Sequence, residues 1–335
     1  MTAQQSLVME ALQKFPDAPA LTIARKLHKE NPGVWDNLNA CRTCVRRVLG
    51  QNGKQARIDI ADTSNFRPAR KPGQGWSDVI PVPSVQLPGW KPVLFTGPLK
   101  ALVLSDVHIP YHCTQALEAS LERGYKAGIN FILLNGDICD HYRLSRFEQD
   151  PKERTFAEEV EAVKKFMTGL RQSFGPKCTI VYKHGNHEER FERFMMAKCP
   201  EFLDIKAFEW TKVMGLEENN VQLVKDKKPI QLGKLNVIHG HEYSFAISNP
   251  VNPARGFYLR AKVHVLGGHL HQSSQHSEKS LEEKVISAWS TGCLCEIHPK
   301  FRPINPWNQG AAIVEVFDDG AFAVDNFRII NGKVY

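Results

Sequence analysis

ALVLSDVH (residues 101–108), NFILLNGDICD (130–140), CTIVYKHGNHE (178–188), LNVIHGH (235–241) and VHVLGGHLH (263–271) share one grammar: a short apolar run that ends in a polar cluster. Runs this short and this rich in Val, Ile and Leu read as buried strands, each with its polar group just past the carboxyl end. Helical spacing lies between them, most clearly at Phe156, Val160, Val163, Met167 and Leu170, and Gly175-Pro176 stops it. Strands alternating with helices predict an α/β core, and such folds gather ligands in the crevice beyond their strands' carboxyl ends. Near the C-terminus, Ala311 to Phe317 and Phe322 to Phe327 flank Asp318-Asp319-Gly320 and predict an antiparallel hairpin.

The polar clusters are Asp106-Val-His108, Gly136-Asp137-Ile-Cys-Asp140, Gly185-Asn186-His187-Glu188, His239-Gly240-His241 and Gly268-His269-Leu-His271. One such cluster alone says little; five in order at strand ends are a specific signal. In an extended Asp-X-His or His-X-His segment alternate side chains point to the same side, so both reach one pair of ions.

Order and spacing of the five blocks, which span most of Leu102 to Leu270, resemble the calcineurin-like metallophosphoesterase superfamily. The resemblance implies a layered α/β/β/α sandwich and a two-metal phosphoester hydrolase. It further implies that Asp106, His108 and His271 hold one ion, that Asn186, His239 and His269 hold the other, and that Asp137 bridges them. Carboxylate, amide and imidazole donors without thiolate fit Mn2+, Fe or Zn2+, and ligand type alone does not choose among them; Mn2+ is the expectation. Two such ions clamp a phosphoryl group and acidify a water for in-line attack. His187 occupies the position of the family's general acid, and Asp140 that of the carboxylate orienting it. Glu188 reads as a structural salt bridge or a helix-start carboxylate, and His241 as a substrate contact beside the ligand His239.

Substrate is less determined. In the serine/threonine phosphoprotein phosphatases of this superfamily Arg-Gly follows the orienting carboxylate, and that Arg grips the phosphate. Here His141-Tyr142 stands instead, which points away from phosphoproteins and leaves Arg143 or Arg146 as candidate phosphate contacts. Arg255, in the block Asn249-Pro-Val-Asn-Pro-Ala-Arg-Gly, is a candidate for a basic wall beside the metals, with a solvated turn as the alternative. Cys293 and Cys295 read as packing or rim residues.

The 335 residues are enough for one large domain and one small one. Residues 1–65 predict a small all-α, helix-turn-helix-like domain, 66–99 a linker, and 100–335 the metallophosphoesterase domain. The linker carries Pro68, Pro72, Pro81, Pro83, Pro88, Pro92 and Pro98, which rules out a helix. Helical patterns run from about Gln5 to Phe15, Leu21 to Lys29 and Asn37 to Gly50. The last places Leu38, Cys41, Val45, Val48 and Leu49 on one face and Asn39, Thr43, Arg46 and Arg47 on the other. Twelve basic against six acidic residues up to Lys71 put +6 of the net +7 in this part of the chain. A basic, hydrogen-bonding helix face fits nucleic acid, with Asn39, Thr43, Arg46 and Arg47 as the contacts; a protein-docking domain is the other reading. Cys41 and Cys44 read as packing cysteines, since no second pair follows at zinc-site spacing.

No apolar run approaches the roughly 20 residues that span a bilayer, and MTAQQSLVMEALQKF shows no secretory signal pattern. The expectation is a cytoplasmic protein without a membrane partner and with reduced thiols. The chain also resembles phage- and prophage-encoded members of the superfamily, which would place it in a host cytoplasm. Two readings of function stand: a phosphodiesterase or nuclease guided to DNA or RNA by the basic helices, and a phosphomonoesterase whose helices dock a protein. Oligomeric state is not legible.

Overall fold

The computed structural model describes residues 2–52, 75–76, 79–82, 89–146, 150, 152, 155–243 and 251–335. Much of the stretch read as a linker, and Asn249 and Pro250 of the Arg255 block, lie outside the described residues. The chain divides into two compact units, Met1–Leu87 and Pro88–Tyr335.

The first unit holds α1 (Ala3–Lys14), α2 (Ala20–Glu30) and α3 (Leu38–Val48). Thr2 and Gln5 form a capping box that starts α1, and the Asn37 side chain accepts the Ala40 N–H at the start of α3. One apolar stripe from each helix meets in a shared core: Val8 and Leu12, Ile23 and Leu27, Cys41 and Val45. Trp35, from the α2–α3 connection, fills its remainder and is 4% exposed. Cys41 behaves as a packing residue, because its Sγ donates to the Ala24 carbonyl at 3.5 Å and burial pushes its thiol up to about 11. Asn39, Arg42, Thr43, Arg46 and Arg47 are all exposed on the opposite face of α3.

The second unit is built on two sheets. Its strands are β1 (Val93–Phe95), β2 (Leu99–Leu104), β3 (Phe131–Asn135), β4 (Thr179–Lys183), β5 (Val221–Val224), β6 (Ile230–Leu232), β7 (Leu235–Val237), β8 (Val265–Gly267), β9 (Ser274–Lys279), β10 (Val285–Ser290), β11 (Gln309–Val316), β12 (Phe322–Ile330) and β13 (Lys333–Val334). Its helices are α4 (Thr114–Lys126), α5 (Phe156–Phe174), α6 (Glu189–Lys198), α7 (Trp210–Val213) and α8 (Pro253–Ala261). The seven-stranded sheet has the order β13-β12-β11-β2-β3-β4-β5 and the six-stranded one β1-β6-β7-β8-β10-β9.

Period-two burial explains the layering. Leu102, Leu104, Ile132, Leu134, Ile180 and Tyr182 face a core completed by Val163, Met167 and Leu170 of α5 and by Phe191 and Met195 of α6. Their alternates Ala101, Val103, Phe131, Leu133 and Val181 face the other sheet, meeting Leu235, Val237, Leu266 and Trp289. Helix α8 covers that sheet's outer face through Ala254 and Phe257. Mixed α/β sheets with flanking helices agree with the expected layers, and the β11–β12 hairpin pairs antiparallel from Gln309↔Ile329 to Val316↔Phe322. Val93–Phe95, within the stretch read as a linker, is instead a strand, pairing in parallel with Ile230–Leu232. Three residues between prolines gave too short an apolar pattern to announce it.

Because β2, β3 and β4 run parallel, and β7 and β8 do so in the second sheet, five carboxyl ends converge on one crevice. Asn135 Nδ2 ties the sheets together there by donating to the Ile238 carbonyl at 2.8 Å.

Candidate metal centre

The chain leaves extended geometry as soon as it leaves each strand. Asp106, His108, Asp137, His269 and His271 have φ of 55°, 52°, 52°, 67° and 57°. A left-handed backbone is costly for non-glycine residues and is held in place only by its surroundings. The expectation that Asp106 and His108, or His269 and His271, converge by pleat alternation is therefore corrected. The turns aim these side chains, not the pleat.

Asp106, His108 and Asp137 bring one ligand atom each within 4.8 Å of one another, and so do Asp137, His239 and His269. Asp137 belongs to both groups. His271 Nε2 lies 3.2 Å from Asp106 Oδ1 and 3.3 Å from His108 Nε2. Asp106 Oδ1, Asn186 Oδ1 and His239 Nε2 are buried without a well-directed hydrogen bond among the described residues, the first and last facing only His271 Nε2 and Asp137 Oδ2 at 3.2 Å. Buried polar atoms left unpaired are expensive. Here they sit among oxygen and nitrogen donors of the type divalent cations take, so the residues present fit a pair of such ions.

The rings are oriented from behind. His239 Nδ1 donates to the Asn135 carbonyl at 2.8 Å and His108 Nδ1 to Asp140 Oδ1 at 2.9 Å, which directs both Nε2 atoms toward the cluster. Glu188 stands at the start of α6 as expected, but its carboxylate makes no side-chain cap there and no ion pair among the described residues. Its Oε2 accepts the N–H of Asp137 at 2.9 Å and of Gly185 at 2.8 Å. Its Oε1 accepts the N–H of Ile138 and Cys139 and the hydroxyl of Tyr182. A fully buried carboxylate thus fastens the Asp137 turn to the Gly185–Glu188 turn. The Gly185 turn also needs its glycine, since a Cβ there would lie 2.2 Å from Asp137 Oδ1.

The sequence reading also missed Glu242, which accepts the N–H groups of His239 and Gly240 and pairs with the buried Lys183 Nζ at 2.8 Å. Burial would raise its carboxyl, but the Lys183 ammonium holds it well below the usual range.

Electrostatics follow from carboxylates and imidazoles sharing a buried space. Burial pushes Asp106 and Asp137 upward, yet His271 beside the first and His239 beside the second hold both well below the usual range. Burial disfavours charge on His239 and His271, but Asp137 and Asp106 respectively push them up to about 10. At His269 the same carboxylates are outweighed, and burial followed by the nearby His239 takes it down to about 4.

His187 sits beside this cluster, its N–H donating to Asp137 Oδ1 at 2.9 Å. Its Nδ1 donates to the Asp140 carbonyl at 2.7 Å and lies 3.2 Å from Asp140 Oδ1. Asp140 therefore serves two histidines, His108 and His187, rather than one. Burial works against charge on His187, while Asp137 and Asp140 raise its pKa. Arg190, one helical turn on, donates from Nη2 to His187 Nε2 at 3.0 Å and from Nη1 to the Asp140 carbonyl at 2.9 Å. The i,i+3 spacing of His187 and Arg190 was the available signal.

His241 lies beside His239, ring centroids 5.3 Å apart, and its Nε2 pairs with Glu189 Oε1 at 2.8 Å. His141 is fully buried, its Nδ1 donating to Glu159 and its Nε2 accepting from Trp210 Nε1, so this position belongs to the core. Arg143 is half-buried in the turn Tyr142–Leu144, and Arg146 is exposed just after it. Arg255 is exposed in the first turn of α8, its N–H donating to Asn252 Oδ1. Cys293 and Cys295 are buried, with Cys295 Sγ 3.9 Å from His271 Nδ1, and Trp307 lies against that ring at a centroid distance of 4.3 Å.

Among curated proteins no match is found. Solved structures that resemble the chain include Vacuolar Protein Sorting 29 from Cryptosporidium parvum, at 15% identity over 71% of this chain and 95% of that one, with a TM-score of 0.39. The phosphoesterase Yfce from E. coli matches at 16% identity over 68% of this chain and 98% of that one, with a TM-score of 0.32. No helix among the described residues is long and apolar enough to cross a membrane. The family model described as calcineurin-like phosphoesterase matches residues 99–273, more than half of the chain and all five polar clusters, so this protein belongs to that family and is a metal-dependent phosphoester hydrolase.

Proposed function

We propose that the chain is a phosphodiesterase or nuclease directed to DNA or RNA by its N-terminal helices. In this reading Asp106, His108 and His271 hold one divalent ion, Asn186, His239 and His269 hold a second, and Asp137 bridges them, with Mn2+ the preferred metal. Such a pair, when bound, would clamp a phosphoryl group and supply an acidified water. The chain's own part is positional and protonic: Asp140 orients the His187 ring, and His187 donates a proton to the leaving oxygen.

The observation that carries the nucleic-acid reading is the outer face of α3, where Asn39, Arg42, Thr43, Arg46 and Arg47 are all exposed. A core histidine at position 141, where a protein phosphatase would carry its gripping arginine, counts in the same direction.

The test supplies full-length protein with Mn2+ and offers single-stranded DNA, duplex DNA, bis(4-nitrophenyl) phosphate and 4-nitrophenyl phosphate. Cleavage of DNA and of the aryl diester is expected. An Arg46→Glu/Arg47→Glu variant should lose DNA cleavage while keeping the aryl diester. Rapid turnover of the monoester with both diesters untouched would overturn the reading in favour of a phosphomonoesterase.

A further inference from the structure

Arg190 is a guanidinium beside the candidate centre that meets His187 rather than a carboxylate. Among the described residues it makes no ion pair within 4 Å, whereas Arg193, on the same helix, pairs with Glu189. Its partners are a carbonyl, Asp140 O, and an imidazole nitrogen, His187 Nε2, neither of them anionic. A half-buried guanidinium satisfied only by such acceptors keeps its attraction for an anion, and its planar fork matches phosphoryl oxygens.

The geometry around His187 adds a second observation. With Nδ1 committed to Asp140, only Nε2 can face a leaving oxygen, and Nε2 lies 3.9 Å from Asp137 Oδ2 at the edge of the cluster. That nitrogen is occupied by Arg190 Nη2. The two groups cannot both keep this contact and meet a substrate.

We propose that Arg190 is the residue that grips the phosphoryl group: Nη1 stays on the Asp140 carbonyl as a pivot while Nη2 leaves His187 Nε2 for a non-bridging phosphoryl oxygen. The same move frees the Nε2 lone pair to take a proton from solvent, and the resulting Nε2–H can then face the leaving oxygen. The ligand class is a phosphoester with an unesterified non-bridging oxygen, common to monoesters and diesters. The proposal rests on the reading of His187 as the acid for its second half, but the grip itself does not require that reading.

The probe is inorganic phosphate, titrated by calorimetry into full-length protein supplied with Mn2+. Arg190→Met should weaken phosphate binding about tenfold or more, the scale of one charge-assisted hydrogen bond. Arg190→Lys should recover part of the affinity. The loss should persist undiminished in a His187→Asn background, because the contact is to phosphate and not through the histidine. Mn2+ stoichiometry and melting temperature, measured on every variant, confirm an intact site; Arg190→Gln replaces Arg190→Met if the latter does not fold. Unchanged phosphate affinity with both metals bound overturns the proposal, as does an effect that vanishes when His187 is replaced. His187→Asn with wild-type turnover on poor leaving groups would sink the acid assignment alone and leave the phosphate titration standing.

Discussion

Glu188 Oε2 accepts the backbone N–H of Asp137 at 2.9 Å, so a carboxylate outside the candidate ligand set holds the turn that aims its central member. Because that oxygen also takes the Gly185 N–H, while Oε1 takes two more backbone donors and a phenol, Glu188→Gln would turn an amide group toward backbone donors. The expected loss is roughly 2–4 kcal/mol of stability, from a buried acceptor site that becomes a donor. A thermal melt and an Mn2+ titration both read it. An unchanged melting temperature would show that this carboxylate does not fasten the two turns.

Gly185→Ala isolates the centre from the fold. Its Cβ would lie 2.2 Å from Asp137 Oδ1 and 2.5 Å from Asp137 N, neither of which has a free direction to yield. The variant should keep its far-UV circular dichroism and lose Mn2+ affinity and turnover together. Wild-type metal affinity would mean that Asp137 can shift without cost.

Metal loading should release protons. His239 and His271, pushed up to about 10, carry a proton at neutral pH that a cation must displace. Mn2+ affinity should therefore rise with pH toward 10, with about two protons released near pH 8, as measured by calorimetry in buffers of different ionisation enthalpy. For the metal-free protein the sign is opposite. The stabilisation from these two raised imidazoles is complete below the unfolded value of about 6.5 and is lost as pH climbs through about 10. Metal-free protein that gains stability across that window would contradict the assignment.

Replacing Asp140 and replacing His187 should have different consequences. Asp140→Asn disturbs both His108 and His187, so Mn2+ affinity should fall about 10- to 100-fold alongside turnover. His187→Asn should keep both metals and lose turnover most severely with poor leaving groups. Equal loss across a leaving-group series would remove the acid role.

The strand-end grammar was legible because apolar runs and polar clusters are both local, and β2, β3, β4, β7 and β8 fall where those runs are. What escaped was non-local. Glu188 and Glu242 act on backbone N–H groups, which leave no side-chain pattern to read. The left-handed positions Asp106 and His269 are not themselves glycines, so the residue type does not announce them, and the pleat argument failed there. Val93–Phe95 owes its strand to Ile230–Leu232, far along the chain. Trp35 lies between two helical patterns, and no periodicity marks it as core.

Gly268 and Gly185 set a limit on how this protein can diverge. A methyl group at 268 would come within 1.9 Å of Ser105 Oγ and 2.7 Å of Asp106 Oδ2, as one at 185 would collide with Asp137. Descendants of this gene can therefore exchange residues around the crevice and so try new substrates. They have no comparable freedom in its floor, where the smallest possible insertion of side-chain volume displaces a carboxylate. Inheritance at these two positions is all or nothing.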